Sequence, residues 1–266
     1  MKNNQDGDEI KPISEIEIPG VCGRLMHWIS HIRPIVWLVV TAVALAVFVI
    51  VMPQSMWYVL WKGMRAQKYL MFLLAVLSLI AISLIWSTGQ RIDVWFFMFV
   101  NKRGQHPPWL DWVMLGYTQI GSGIFAYSVA LVLFLRPMHM LAYELIFGNL
   151  TLWLMVELLK VLINRTRPYS KLEGIRIIGH REGGRSFPSG HTSQAFFMAS
   201  LFAHYFSTGV LVTILLYIVA ALVGVTRIYV GMHYPRDVLG GAVLGTAWGL
   251  VGVILNSYIF SELGIH

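Results

Sequence analysis

Three short polar blocks in an apolar chain carry the residue types needed to handle a phosphate ester: Lys160 to Pro168 (KVLINRTRP), Pro188 to His191 (PSGH) and Arg227 to Asp237 (RIYVGMHYPRD). Together they offer the cations Lys160, Arg167 and Arg227, the imidazoles of His191 and His233, the carboxylate of Asp237, and a small-residue helix start at Ser189 and Gly190. Fixed cations can neutralise the oxygens of a phosphoryl group in place of metal ions. An imidazole oriented through one ring nitrogen can attack phosphorus with the other.

Each block has a local logic. Pro168 disfavours helical geometry at Arg167, so a helix should end near Asn164 or Arg165 with Lys160 in its last turn. Taken alone, such cations also serve simply to snorkel and to offset the helix dipole. In the second block Pro188 suits a chain turn, Ser189 is a natural N-cap, and Gly190 admits a close backbone approach. The free N–H groups of that helix start would bind an anion, although plain capping explains the triplet equally well. In the third, Arg227 ends a helix, His233 lies in a connection, and Pro235 opens the next helix with Asp237 in its first turn, within reach of His233. The intervening loop, Tyr169 to Phe187, adds basic residues, of which Arg176, His180, Arg181 and Arg185 are candidates for headgroup recognition. Ordinary interfacial cations are the plainer account of them.

The elements that must position these blocks span a membrane. The chain has 266 residues, 57% of them hydrophobic and 12% charged, with a mean hydropathy of +0.66, which excludes a soluble globular domain. The net charge of +7 comes from basic residues bunched at the ends of apolar stretches, which points to anionic lipid and away from nucleic acid. Stretches long enough to cross a bilayer fall near 35–52, 69–86, 120–135, 140–163, 191–207, 210–229 and 238–258. Between the second and third, the segment from Gln90 to Gln119 is too broken to span and is expected along the interface, where Trp86, Trp95, Trp109, Trp112 and Tyr117 belong. Glu157, one turn before Lys160, reads as its ion-pair partner. Glu144 is a second carboxylate within a span, with no evident role.

Helix parity brings the blocks together. The first ends span four, the second opens span five, and the third joins spans six and seven, so all three face one side. The basic, acid-free loop containing Lys62, Arg65 and Lys68 reads as cytoplasmic, which puts the blocks on the extracytoplasmic face of a bacterial inner or plasma membrane. The domain reading is a polar tail at 1–33, an extra transmembrane helix and basic loop at 34–68, a catalytic membrane domain at 69–258 and a short tail at 259–266. Cys22 is the single cysteine, so no intrachain disulfide is possible.

As an ordered set, Lys160-x6-Arg167-Pro168, Pro188-Ser189-Gly190-His191 and Arg227-x5-His233-x3-Asp237 resemble the three-part signature of the type 2 phosphatidic acid phosphatase (PAP2) superfamily. The likeness runs over roughly residues 69–258 and includes Trp109-Leu110-Asp111 and Gly121-Ser122. Thr226 stands where the family usually has serine. The resemblance implies an all-α, polytopic membrane helix bundle, with a six-helix core preceded here by one extra helix. It also implies a lipid phosphatase: His233, oriented by Asp237, forms a phosphohistidine and His191 protonates the leaving oxygen. Lys160, Arg167, Ser189, Gly190 and Arg227 then hold the phosphate, with no metal and no cofactor. The expected partners are a phosphorylated membrane lipid and the bilayer, with no nucleic acid. Phosphatidic acid, phosphatidylglycerophosphate, a polyprenyl pyrophosphate and a phosphorylated glycolipid all suit such a site, with the polyprenyl pyrophosphate as leading candidate. A lipid phosphotransferase, a metal-dependent hydrolase ligated by His191, His233 and Asp237, and a non-catalytic lipid-binding or transport protein are the alternatives.

Overall fold

Apolar runs of helical length, punctuated by Pro, Gly and Asn, fold into eight α-helices with no strand among the described residues. The computed structural model describes residues 67–101 and 107–263, with side chains as far as residue 254. The expected tail at 1–33 and the extra span at 35–52 lie outside the described residues.

Helix α1 (Lys68–Ser83) meets α2 (Ser87–Asn101) at 95°, so the chain turns sideways where a non-spanning segment was expected. On α2 the buried residues are Asp93, Phe97 and Asn101, spaced four apart on one face. Helix α3 (Pro108–Thr118) begins with a proline in its first turn, passes through a 3-10 turn at Gln119–Gly121, and is bent by 58° from α4 (Gly123–Leu135). The expected span at 120–135 therefore begins as a helix only at Gly123, where the Ser122 hydroxyl caps it by accepting from Phe125 N at 3.2 Å.

Helix α5 (His139–Ile163) ends as Pro168 predicts: Asn164 takes the left-handed conformation (φ 53°, ψ 35°) and closes it with a bond to Lys160 O. A long loop leads to α6 (Gly190–Tyr205), followed by α7 (Val210–Tyr229) and α8 (Pro235–Leu263), which continues beyond the expected end at 258. Helices α5, α7 and α8 are each long and apolar enough to cross a membrane. Counting each bent pair, α1–α2 and α3–α4, as one span raises the number to five.

Helix α6 is the inner helix. Its 16 residues bury Thr192, Ser193, Gln194 and Ser200 beside Phe197, Met198 and Leu201, and it packs most extensively on α8, then on α7. Facing protein instead of lipid frees it from the need for a continuous apolar surface. The α6–α8 contact is close because α8 presents Gly241, Gly245 and Gly249 to it. A Cβ added at Gly245 would lie 2.1 Å from Ser193 O, and one at Gly241 would lie 2.7 Å from Ser189 O. This packing joins the helix whose first turn holds His191 to the helix that begins beside His233.

Candidate active site

The loop between α5 and α6 carries much of the site, and α2 anchors it. Asn101, fully buried, donates through Nδ2 to Arg176 O and Tyr229 O, both at 2.8 Å, and accepts from Arg176 N at 2.9 Å through Oδ1. Ile178 N donates to Val230 O at 3.2 Å and Ser186 N to Arg165 O at 2.8 Å, pinning the loop at both ends. Beyond α7 the chain reverses at Gly231, whose φ of +87° and 2.4 Å approach of a virtual Cβ to Arg176 O exclude any side chain. That reversal delivers His233 to the centre.

His233 is 1% exposed. Its Nδ1 lies 2.8 Å from Ser186 O, and because a carbonyl only accepts, Nδ1 carries the proton. Nε2 is then the basic nitrogen, 3.4 Å from Arg167 Nη1. Burial, reinforced by the Arg167 and Arg227 charges, lowers His233 to about 4 against the pull of Asp237, so the ring is neutral at neutral pH. A neutral imidazole with its tautomer fixed is the nucleophilic form.

The direct bond expected between Asp237 and His233 is replaced by a relay. Asp237 Oδ2 stands 3.8 Å from His233 Nδ1 and instead accepts from Ser186 Oγ at 2.5 Å and from Tyr234 N at 2.8 Å. The carboxylate in the first turn of α8 folds back on the backbone that precedes the helix, as acidic residues at helix starts do. It therefore holds Ser186, and Ser186 holds the imidazole.

Beside His233 is a cationic cradle. Arg167, 2% exposed, donates to Glu182 Oε2 at 3.1 Å and to Gly183 O at 3.0 Å. Arg227, 3% exposed, donates to Glu182 Oε1 and to Thr118 Oγ1, the latter at 3.1 Å. His191 Nδ1 is 3.8 Å from the same Glu182 oxygen. Burial alone would raise the Glu182 carboxyl, but Arg227, with His191, His233 and Arg167, holds it down at about 2. The Nε atoms of Arg167 and Arg227 are buried without a hydrogen-bond partner. One face thus unites Arg167, Arg227, His191 and His233 from all three blocks.

Other expected members sit differently. Lys160 Nζ pairs with Glu157 Oε1 at 2.8 Å on its own helix, the partner anticipated from spacing. Ser189 stands at the N-cap position, but its hydroxyl accepts from Thr192 Oγ1 at 2.9 Å and caps no backbone N–H, while its own N–H donates to Asp237 O at 2.9 Å. Gly190 opens α6 with its Cβ position 3.8 Å from Val156. Of the four loop residues read for headgroup recognition, Arg176 is tied down by Asp111 at 2.8 and 3.0 Å, which makes it a strut between the loop and α3. His180, Arg181 and Arg185 remain exposed, with Arg181 over the Tyr169 ring.

A second layer was not foreseen. Arg165 donates to Asp237 Oδ1 at 2.6 Å, Asp93 Oδ2 at 2.5 Å and Gln90 Oε1 at 2.9 Å, and Arg236 Nε reaches the same Asp93 oxygen at 2.7 Å. Glu182 and Ser186 were also missed, because both reach the site through loop folding that no local pattern encodes. Arg165 stood in the first block and is the one with a legible signal: a second guanidinium two residues before the arginine that precedes Pro168. Nothing in the structure explains Glu144, whose Oε1 is buried without a partner.

Residues 123–260, which hold the cradle and both histidines, match the family model of the PAP2 superfamily. The chain belongs to that superfamily, and it is a membrane phosphatase. Among its relatives are phosphatidylglycerophosphatase B of Bacillus subtilis, 31% identical over 52% of this chain and 71% of that protein. The lipid A 4'-phosphatase of Bacteroides thetaiotaomicron is 30% identical over 58% of this chain and 72% of that one. The crystal structure of the transmembrane PAP2-type phosphatidylglycerolphosphate phosphatase from Bacillus subtilis superposes with a TM-score of 0.63 at 25% identity, covering 71% of this chain and 96% of that one.

Proposed function

We propose that this PAP2 phosphatase removes a phosphoryl group from a membrane lipid headgroup at the extracytoplasmic face, through a phosphohistidine on His233 and without metal. The observation that carries the reading is the neutral, tautomer-fixed His233, whose Nε2 lies 3.4 Å from the Arg167 guanidinium. Nε2 attacks phosphorus, forming the P–N bond as the P–O bond to the lipid breaks. His191 gives its proton to the departing oxygen, and the negative charge of the bound phosphate favours the imidazolium it needs. Water then attacks phosphorus, the P–N bond breaks, His191 takes the water proton, and inorganic phosphate leaves. Arg167 and Arg227 balance the charge on the non-bridging oxygens throughout. Lys160 joins them once its pairing with Glu157 is exchanged for substrate. The catalytic domain is residues 69–258.

The guanidinium groups around His191 and His233 would oppose a divalent ion, which favours this reading over ligation of a metal by those histidines and Asp237. The named relatives act on phosphatidylglycerophosphate and lipid A, so these head the substrate panel, followed by phosphatidic acid and a polyprenyl diphosphate. Purified full-length protein in mixed micelles should release inorganic phosphate from at least one of them, with EDTA lacking effect and His233→Ala abolishing release. Activity lost to EDTA and restored by zinc, or release by His233→Ala at the parent rate, would overturn the proposal.

A further inference from the structure

The cradle already holds an anion of the protein's own making. The two oxygens of Glu182 each meet a guanidinium from a different block, Oε2 that of Arg167 and Oε1 that of Arg227, with the His191 imidazole 3.8 Å away. Two oxygens on one centre, bridging two arginines beside the attacking histidine, is the arrangement that two non-bridging oxygens of a phosphoryl group would adopt. The phosphatase mechanism gives Glu182 no part. Its side chain is 32% exposed, and it is followed by Gly183 and Gly184, where an added Cβ would meet nothing within 4 Å and where Gly184 has φ +78°. The carboxylate can therefore swing out, while the backbone at 182 stays tethered through Tyr169 Oη, which donates to Glu182 O at 2.5 Å.

We propose that Glu182 is an internal competitor for the phosphate cradle, a specificity-determining carboxylate that the substrate's phosphoryl group must displace and that returns as inorganic phosphate leaves. The inference rests on the phosphatase reading of the same site. A carboxylate has only two oxygens, and it leaves the buried Nε atoms of Arg167 and Arg227 without partners. A phosphoryl group brings three oxygens and more charge, so it can engage donors that Glu182 cannot. The device discriminates against weaker anions, such as lipid carboxylates, and prevents product from lingering on two buried arginines. Exchange costs little reorganisation, because Glu182 and the phosphoryl group use the guanidinium groups in one orientation.

The test is calorimetric titration of inorganic phosphate and of orthovanadate into detergent-solubilised full-length protein, comparing the parent with Glu182→Gln and Glu182→Ala. Removing a competing charge from a partly solvated site should tighten both anions on the order of tenfold in both variants. If Glu182 instead serves only to align the arginines, both variants bind the anions more weakly, and the proposal falls. Affinity unchanged in both variants, with a parent that hydrolyses lipid and binds vanadate, also overturns it while leaving the phosphatase reading intact. Failure of parent and variants alike to bind either anion overturns both. Binding seen only in the variants supports the competitor in its strongest form.

Discussion

Replacing Gly245 by alanine tests whether the α6–α8 contact sets the catalytic geometry. The new methyl carbon would lie 2.1 Å from Ser193 O and 2.9 Å from Phe197 N. A carbon and a carbonyl oxygen settle no closer than about 3.3 Å, so the helices must part by roughly 1 Å at this level. Both contacting atoms are backbone of α6, and no side chain can rotate to absorb the methyl. Gly245 lies eight residues into α8 from Asp237, about 12 Å along the axis, and Ser193 only two residues beyond His191. Separation here therefore carries His191 away from His233. Misplacing a reacting group by about 1 Å costs roughly 100-fold in rate, and overpacking costs about 1–3 kcal/mol in stability. Gly252→Ala is the control: on the same helix its Cβ would meet Leu201 Cδ1 at 3.9 Å, an ordinary contact. The assay is the kcat of phosphate release in mixed micelles together with the thermal unfolding midpoint. Gly245→Ala should lose both while Gly252→Ala keeps both. Parental kcat in Gly245→Ala, or equal losses in the two variants, would refute the reasoning.

Two further predictions concern charge. Because burial and the Arg167 and Arg227 charges lower His233 to about 4, its protonation should inactivate the free enzyme only as pH falls through about 4. Glu182 stays ionised above about 2. The same shift makes the folded state bind fewer protons than the unfolded chain, so stability is lost as pH falls from about 6.5 toward 4. The acid limb of kcat/KM checks this, and a His233-dependent limb near 6.5 would contradict it. Arg165→Met should destabilise by about 3–5 kcal/mol, because it leaves the Asp237 and Asp93 carboxylates buried and short of a partner. Adding Asp93→Asn should cost less than the sum of the single changes, read from unfolding midpoints in detergent, whereas strict additivity would sever the proposed link.

What the sequence made legible and what it hid follow from the range of the interactions. Proline and asparagine act on their immediate neighbours, so the end of α5 at Asn164 and the start of α8 at Pro235 could be anticipated. Helix parity is additive along the chain, so the meeting of three distant blocks on one face followed as well. The i, i+3 pair of Glu157 and Lys160 was visible for the same reason. The four-residue spacing from His233 to Asp237 put the carboxylate beside the imidazole, 3.8 Å from Nδ1, but could not show where its hydrogen bonds go. Asp237 accepts from Tyr234 N, and Ser186 fills the gap to the imidazole. Glu182 drew no reading within its basic loop, and Asp93 fell in a segment expected along the interface. The glycines at 241, 245 and 249 could have been found from their four-residue spacing alone, which is the signature of helices in close contact.

The buried charges explain why the site needs the whole bundle. From Arg236 through Asp93 and Arg165 to Asp237, signs alternate along a chain of contacts that begins at the α1–α2 corner, where Arg236 Nη1 donates to Ser83 O, and ends at the group holding His233. Any one of these ions alone would be costly out of water, and removal of any one strands its neighbours. Two arginines and two aspartates cancel, so the set can be buried only as a set. Ser186 and His233 are oriented by its last member. The imidazole is thus correctly turned by residues on α2, α8 and the loop after α5, while burial and the Arg167 and Arg227 charges keep it neutral. A charge change at Asp93, remote in sequence from all three polar blocks, must accordingly reach His233 through Asp237.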